Sequence, residues 1–375
     1  MIYKVPFIKS DHQVLQTNHI QNVLDDPTSF WSKNYLTKCQ EWFLLNFKRP
    51  IHFLDSCTEA VHGVSLIAGL QPEDEVIAPS FTHVSTILAF ANRGIKPVFV
   101  DIAKDNLCID PEEVKKGITD KTRMIIAVNY GGWSPDYDAL TKICSEHDLL
   151  LMEDNAHGLG ASSSGKALGS FGDFSVFSFE RQKNVSCQEG GGLIIHNDSF
   201  NALAAEVINL GTNREAFDAG ESDFFEWTSA GIKSSFTEFQ AAYLLPQLES
   251  LEKLTTERRN SWVYYYENLK DLNRGVVGPE LPFEAHNGHV FYLILVNQEQ
   301  RDALKTSLAA KGIEAHPHYY PLHLSKYGSN FGSTVGDMSN TLLAGRHLLR
   351  LPMFNGISNE EQDFVIDAIY SFFDA

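Results

Sequence analysis

The chain has 375 residues, 43% hydrophobic and 21% charged, an ordinary globular composition with room for two domains or one large one. Its 48 acidic and 30 basic side chains give a formal net charge of −18; there is no basic stripe of the kind a nucleic-acid binder carries, and an anionic ligand must be held by a few local cations against the overall field. Five cysteines (Cys39, Cys57, Cys108, Cys144, Cys187) without a C-x-x-C argue against a disulfide scaffold and for a reducing, cytoplasmic setting, the start MIYKVPFIKSDHQ lacks a signal-peptide core, and no run of about 18 apolar residues offers a membrane span.

Residues 1–50 read as an N-terminal arm with helical pieces, in which Trp31, Tyr35 and Trp42 are packing residues. Phe53-Leu54 leads through Ser56 and Thr58, good cap types, into a helix with Ala60, Val64, Ile67 and Ala68 on one face. The start of that helix has two open readings: simple capping, or an anion site built from free N–H groups and the positive dipole end. Val76–Ala78 reads as a strand ending at Pro79, Lys96–Val100 as a strand, 111–117 as a helix, Met124–Val128 as a strand before the Tyr130-Gly131-Gly132 turn, and 137–147 as a helix. Strands alternating with helices predict βαβ units and a mostly parallel sheet.

The stretch from Leu149 to Gly192 organises the rest. An apolar run, Leu149–Met152, ends in Glu153-Asp154; a second, Phe174–Phe179, is followed by Lys183 and then Glu189-Gly190-Gly191-Gly192. Short apolar runs bounded by turns read as buried parallel strands, and such sheets bind ligands at the carboxyl ends of their strands. A carboxylate after one strand and an amine after another suit pyridoxal phosphate, which needs a lysine for its Schiff base and an acid for its ring nitrogen. Gly160–Lys166 matches the first seven positions of a Walker A loop, but Ala167 stands where Ser or Thr should be, so 158–172 reads as a loop or hairpin.

Leu193–Ile195 is a further strand. Residues 215–229 are acidic and irregular, and Gly231 to Ala242 opens a long helix with Thr237 as a cap. We expect a large domain over 1–245 and a small one over 246–375, the latter with a strand at 290–296 and a helix at 301–311. His316, His318 and His323 invite a zinc reading, but two prolines interrupt the segment and no cysteine lies near, so we expect no metal.

Four linked motifs run in order: Glu153-Asp154-Asn155-Ala156-His157, Gly169-Ser170-Phe171-Gly172-Asp173, Phe177-Ser178-Phe179 with Lys183-Asn184, and Glu189-Gly190-Gly191. With this signature the chain resembles, over nearly its whole length, the nucleotide-sugar aminotransferases of the DegT/StrS type, a branch of the fold-type-I pyridoxal-phosphate enzymes. The resemblance implies an α/β large domain with a mostly parallel sheet flanked by helices, a smaller α+β C-terminal domain, and a homodimer with shared active sites. It implies that Lys183 carries the cofactor and shuttles protons, that Asp154 keeps the ring nitrogen protonated, and that Cys57, Thr58, His157 and Ser178 also contact the cofactor. His83 stands where the family has Phe or Trp stacked on the ring; stacking and a plain structural role both remain open. Lys233 stands where the family has an Asn reaching the partner's cofactor phosphate; a solvated surface lysine is the other reading. His318, Tyr319 and His323, in the family's H-Y-x-P-L-H, fall on the substrate side.

The implied reaction moves an amino group from L-glutamate to a nucleotide-linked keto-deoxysugar. Gly211-Thr212-Asn213-Arg214 and Gln240-Ala241-Ala242-Tyr243-Leu244 look like the enzymes that make TDP-4-amino-4,6-dideoxyhexoses. The expected reaction is therefore amination at C-4 of dTDP-4-keto-6-deoxyglucose, for a surface glycan such as O-antigen. The alternatives are 3-amination of a dTDP-3-keto-6-deoxyhexose and a non-enzymatic regulator on the same fold. The family's dehydratases replace the lysine with histidine, so Lys183 argues for amine transfer.

Overall fold

The computed structural model of the protein describes residues 3–9, 13–28, 32–272 and 285–374; Trp31 lies outside them. Two helices of the arm, α1 (Gln13–Asp25) and α2 (Asn34–Phe47), precede an alternating run: β1 (Ile51–Leu54), α3 (Cys57–Ile67), β2 (Glu75–Pro79), α4 (Ser85–Asn92), β3 (Lys96–Val100), α5 (Pro111–Gly117), β4 (Thr122–Val128), α6 (Tyr137–His147) and β5 (Leu150–Asp154). The hairpin β6 (Ser162–Ser163) and β7 (Lys166–Ala167) follows, then β8 (Phe174–Ser178), β9 (Gly191–Ile195), α7 (Asn201–Ile208), α8 (Arg214–Asp218), α9 (Glu238–Glu249) and α10 (Leu251–Leu269). The C-terminal part carries β10 (Tyr292–Ile294), α11 (Gln298–Ala310), α12 (Gly328–Phe331), β11 (Ser333–Thr334), α13 (Ser339–His347), β12 (Leu348–Arg350) and α14 (Asn359–Asp374).

Eight strands form one sheet in the order β1-β9-β8-β5-β4-β2-β3-β11. All its pairings are parallel except those of β9, which runs opposite to β1 and β8. Side chains alternate between the two faces, as strand geometry demands. Val76, Ala78, Met124 and Ile126 pack under α3 and α4, while Ile77, Ile125 and Ala127 pack under α5 and α6. This doubly covered sheet is the α/β fold that the alternation predicted.

Local chemistry sets the helix starts. Ser56 caps α3 by accepting from the Glu59 amide at 3.2 Å, and Asp110 caps α5 with Pro111 at its first position. Thr237 and Gln240 make a reciprocal capping box that fixes the start of α9 at Glu238. The helix expected from Gly231 therefore begins later, and the Ile232 amide donates instead to Val207 O at 2.8 Å. The irregular 215–229 stretch gives its first residues to α8, and the strand expected over 290–296 pairs only from Tyr292 to Ile294. Ser164 and Gly165, at φ 49° and 77°, turn the β6–β7 hairpin where a Walker loop would open into a helix.

The C-terminal part has its own two-stranded sheet, β10 against β12, and its own core of Trp262, Tyr265, Leu304, Leu308, Val365 and Ile369. That core runs on into Phe81, Tyr130 and Trp133 of the large part, and β11 joins the edge of the main sheet beside β3. We propose that the division at 245/246 falls within the last turn of α9, which packs on α1 and α2, just before Ser250 and the start of α10, which packs on α14.

One buried carboxylate ties the sheet to the loop that follows β7. Glu153 is fully buried and accepts four hydrogen bonds, from Asn129 Nδ2 (2.8 Å), the Gly169 amide (2.6 Å), the Phe171 amide (2.8 Å) and Ser175 Oγ (2.8 Å). Gly169 sits at φ 102°, and a Cβ there would lie 2.4 Å from the Phe177 ring, so only glycine brings its amide this close. Glu153→Gln turns an NH2 toward these donors; it should cost about 1–3 kcal/mol, read as a lower melting temperature, and a variant as stable as the parent would show that the network does not hold the loop.

Candidate active site

Asp154 follows Glu153 in β5 and so points to the opposite face. Its Oδ2 accepts from Thr86 Oγ1 at 2.8 Å and its Oδ1 from the Ala156 amide at 3.2 Å, which fixes the carboxylate at the carboxyl end of the strand. Lys183 reaches the same place from the turn after β8, where its amide bonds Glu180 O at 2.9 Å. The two meet in a cavity of about 510 Å³ at the carboxyl edge of the sheet. Cys57 and Thr58 from the start of α3, His83, His157, Ser178, Lys183, His318 and Tyr319 all line it.

Burial lowers the Lys183 ammonium from its ordinary range, while Cys57 and Asp154 pull it back up. Burial likewise raises the Asp154 carboxyl, opposed by Thr86, the Ala156 amide and Lys183. The pair therefore supplies an amine that loses its proton readily beside a hydrogen-bonded acid. Gly191 opens β9 against the first turn of α3: a Cβ there would lie 2.3 Å from Cys57 N. The amides of that turn have no partners within the helix and present a positive dipole end to the cavity.

Four ring side chains close the far wall. His157 Nδ1 accepts from the Gly131 amide at 3.2 Å, leaving Nε2 toward Tyr319 Oη at 3.3 Å. His318 Nδ1 bonds Tyr130 Oη at 2.7 Å, and its ring stacks on Tyr319 at 3.7 Å. His289 Nδ1 bonds Asn184 Oδ1 at 2.8 Å and lies 4.3 Å from the His157 ring. His83 is exposed at the rim, with Nδ1 accepting from the Ser85 amide at 3.2 Å.

A lysine, an acid, a helix start and flanking rings in one cavity fit pyridoxal phosphate, and the comparisons agree. The sequence pattern of the DegT/DnrJ/EryC1/StrS aminotransferase family matches residues 52–370. The chain belongs to this family. A pleiotropic regulatory protein of Geobacillus stearothermophilus is 32% identical, with 98% of both chains covered. Among solved structures, DesV of S. venezuelae has a TM-score of 0.89 at 26% identity, with both chains fully covered. A DegT DnrJ EryC1 StrS aminotransferase from Brucella abortus has a TM-score of 0.86 at 25% identity, with 95% of both chains covered. The protein is accordingly a pyridoxal-phosphate-type aminotransferase.

Two expected site residues of this aminotransferase do not reach its cavity. His323 sits on the short turn after Pro321, where its Nδ1 bonds Ser80 Oγ at 2.7 Å, outside the lining of this cavity. Lys233 is exposed and outside the lining of its own chain. His316, His318 and His323 diverge to Glu314, Tyr130 and Ser80, and among the described residues no group of three His, Cys, Asp or Glu side chains is placed to hold a metal. All five cysteines are free thiols, and no described helix is long and apolar enough to cross a membrane. The sequence reading missed Phe7, His289 and Arg350, all in the lining. Only Arg350 left a signal, as a lone cation inside Leu348–Phe354.

Burial holds His157, His289 and His318 well below the ordinary histidine range. Each ring is neutral in the fold but takes a proton in the unfolded chain once the pH falls below about 6.5, so each removes up to about 1.4 kcal/mol of stability per pH unit below that point. Glu153 and Asp154, raised by burial, act in the opposite sense. The melting temperature should fall between pH 7 and 5.5 and less steeply in His318→Asn; a flat profile would contradict the neutral-ring assignment.

Proposed function

We propose that this aminotransferase takes its amino group from L-glutamate and delivers it to C-4 of dTDP-4-keto-6-deoxyglucose. The product is a dTDP-4-amino-4,6-dideoxyhexose for a surface glycan such as O-antigen. The observation that carries the chemistry is the meeting of Lys183 and Asp154 in one cavity with the start of α3. Bound pyridoxal phosphate supplies an aldehyde that condenses with amines and a ring that accepts electron density. Lys183 Nζ would hold the cofactor at rest and, once displaced by the donor, would move the donor's α-carbon proton to C4′ of the cofactor; during delivery of the amine it would carry a proton the other way, from C4′ to C-4 of the sugar. Asp154, fixed by Thr86 and Ala156, keeps a proton on the ring nitrogen. Cys57, Thr58 and the amides of α3 receive the phosphate, His157 and Ser178 flank the ring, and His83 stacks on it from the rim. His318 and Tyr319 face the sugar.

The C-4 assignment rests on the 211–214 and 240–244 segments. Gln240 Nε2 bonds Glu189 O at 2.8 Å, which links the second of these to the cavity wall. Lys183→Ala should reduce transamination by about 10³-fold or more while the fold persists. Wild-type-like turnover would sink the lysine's role, and product NMR showing nitrogen at C-3 would refute the regiochemistry alone, in favour of the 3-amination alternative.

A regulatory reading draws on the name of the Geobacillus relative. A chain that only regulates has little use for Lys183, Asp154 and the phosphate seat together. Yellow protein bleached by borohydride and by L-glutamate supports the enzyme; colourless protein supports the regulator.

The homodimer with shared sites draws support from exposed Phe224, Phe225 and Trp227, the last 82% exposed, and from the outward position of Lys233. In this arrangement Lys233 of one subunit reaches the cofactor phosphate of the other. Mixing Lys183→Ala with Lys233→Ala subunits should then rebuild one intact site per heterodimer and raise activity above either parent. Full cofactor affinity in Lys233→Ala would leave that residue a surface charge.

A further inference from the structure

Arg350 ends β12 in an otherwise buried run, Leu348, Leu349 and Leu351. Its backbone is held on two sides. It stands opposite Tyr292 of β10, and it exchanges hydrogen bonds with His316, donating to His316 O at 2.8 Å and accepting from the His316 amide at 3.2 Å. The side chain turns into the cavity that holds Lys183 and Asp154. Its guanidinium lies 4.8 Å from the centroid of the Phe7 ring, so the N-terminal arm supplies a platform under it. Phe7 is itself pinned, its amide donating to Glu314 Oε2 at 2.8 Å.

The hydrogen bonds of this guanidinium are incomplete. Nη2 donates to Pro317 O at 3.2 Å, but Nε is shut off from solvent and has no partner. Among the described residues no carboxylate lies within ion-pair distance of Arg350, and the groups that bear on it most are the neutral hydroxyls of Tyr130 and Tyr319. A chain with 48 acidic side chains has placed a cation in its active cavity and given it no acid. A half-buried cation with an unpaired N–H is costly unless a ligand completes it. The Nε and Nη2 protons lie in one plane and point the same way, the fork that matches the two oxygens of a carboxylate. The cofactor's phosphate has a separate seat at the start of α3, leaving this fork for the substrates.

We propose that Arg350 is the seat of the amino donor's α-carboxylate, gripping it with Nε–H and the second Nη2–H while Phe7 backs the guanidinium. The inference rests on the reading above that the donor is an amino acid, because an α-amino acid brings a carboxylate to this cavity in every catalytic cycle. It makes Arg350 a donor-binding residue that orients the α-carbon toward Lys183. It also predicts selection for α-amino acids over simple amines.

The test uses the full-length holoenzyme with Arg350→Gln and Arg350→Lys, each checked for parental melting temperature and cofactor absorbance. Calorimetry with glutarate, which has carboxylates but no amine, reads the seat without turnover. In stopped flow, the apparent dissociation constant for L-glutamate in the first half-reaction should rise on the order of 100-fold in Arg350→Gln, with partial recovery in Arg350→Lys. The limiting rate should change far less. Glutarate binding should weaken in parallel. The loss in the second half-reaction, started from the pyridoxamine form with the keto sugar, should be at least tenfold smaller. Parental affinity for glutarate and glutamate in Arg350→Gln overturns the proposal, and a loss confined to the keto sugar overturns it by assigning the fork to an acidic group on that sugar. A wild-type holoenzyme that binds glutarate through Arg350 but fails to react with L-glutamate would refute the glutamate-donor reading while the carboxylate seat stands.

Discussion

Two adjacent carboxylates on β5 set the geometry on which the rest of the site depends. Strand alternation sends Glu153 and Asp154 to opposite faces. Glu153 is buried and spent on structure, its two oxygens taking four donors that tie Gly169, Phe171 and Ser175 to the strand. Asp154 emerges at the strand's carboxyl end, where Thr86 and Ala156 fix it beside the amine of Lys183. Because the first carboxylate immobilises the strand, the second has a fixed direction. A buried acid with four partners is worth far more to position than to net stability.

The chemistry of the cavity follows from its enclosure as much as from its residue types. Burial moves Lys183 toward its neutral form and keeps His157, His289 and His318 uncharged, so a crowd of basic side chains carries little charge. Hydrogen bonds with Tyr130 Oη, the Gly131 amide and Asn184 Oδ1 hold these three rings in fixed orientations. Arg350 is the exception, since a guanidinium stays charged under burial of this degree. In a protein of net charge −18, such local cations decide where an anion can rest.

The site is also a product of distant chain segments. Phe7 comes from the arm, Cys57 from α3, Asp154 from the central sheet, Lys183 from the turn after β8, His318 and Arg350 from the C-terminal part. The core continuous from Phe81 and Tyr130 into Trp262 and Tyr292 holds the two parts of the chain against each other, and β11 adds a strand from the last third to the edge of the first sheet. The cavity lies along this seam, so its shape depends on both parts at once.

Sequence by itself determined the alternating strands and helices of the large part and marked Asp154 and Lys183, which the fold brings to one cavity. Apolar runs of strand length, cap residues such as Ser56, and helical spacing are local signals, and they placed the parallel sheet and the starts of α3, α5 and α6, whereas α4, α7 and the last two helices were not legible. Asp154 and Lys183 were legible because each follows a buried strand, where an α/β sheet binds its ligands. Only the tertiary structure decided what faces the cavity. His318 and His323 share one short motif, yet the turn after Pro321 sends one to Tyr130 and the other to Ser80. Arg350 is one cation within an apolar run of the sequence, and only the pairing of β12 with β10 and the return of Phe7 turn it inward, with no counter-charge among the described residues. The physical reason is that a side chain's direction and partners depend on contacts between residues hundreds of positions apart, and no local pattern encodes them.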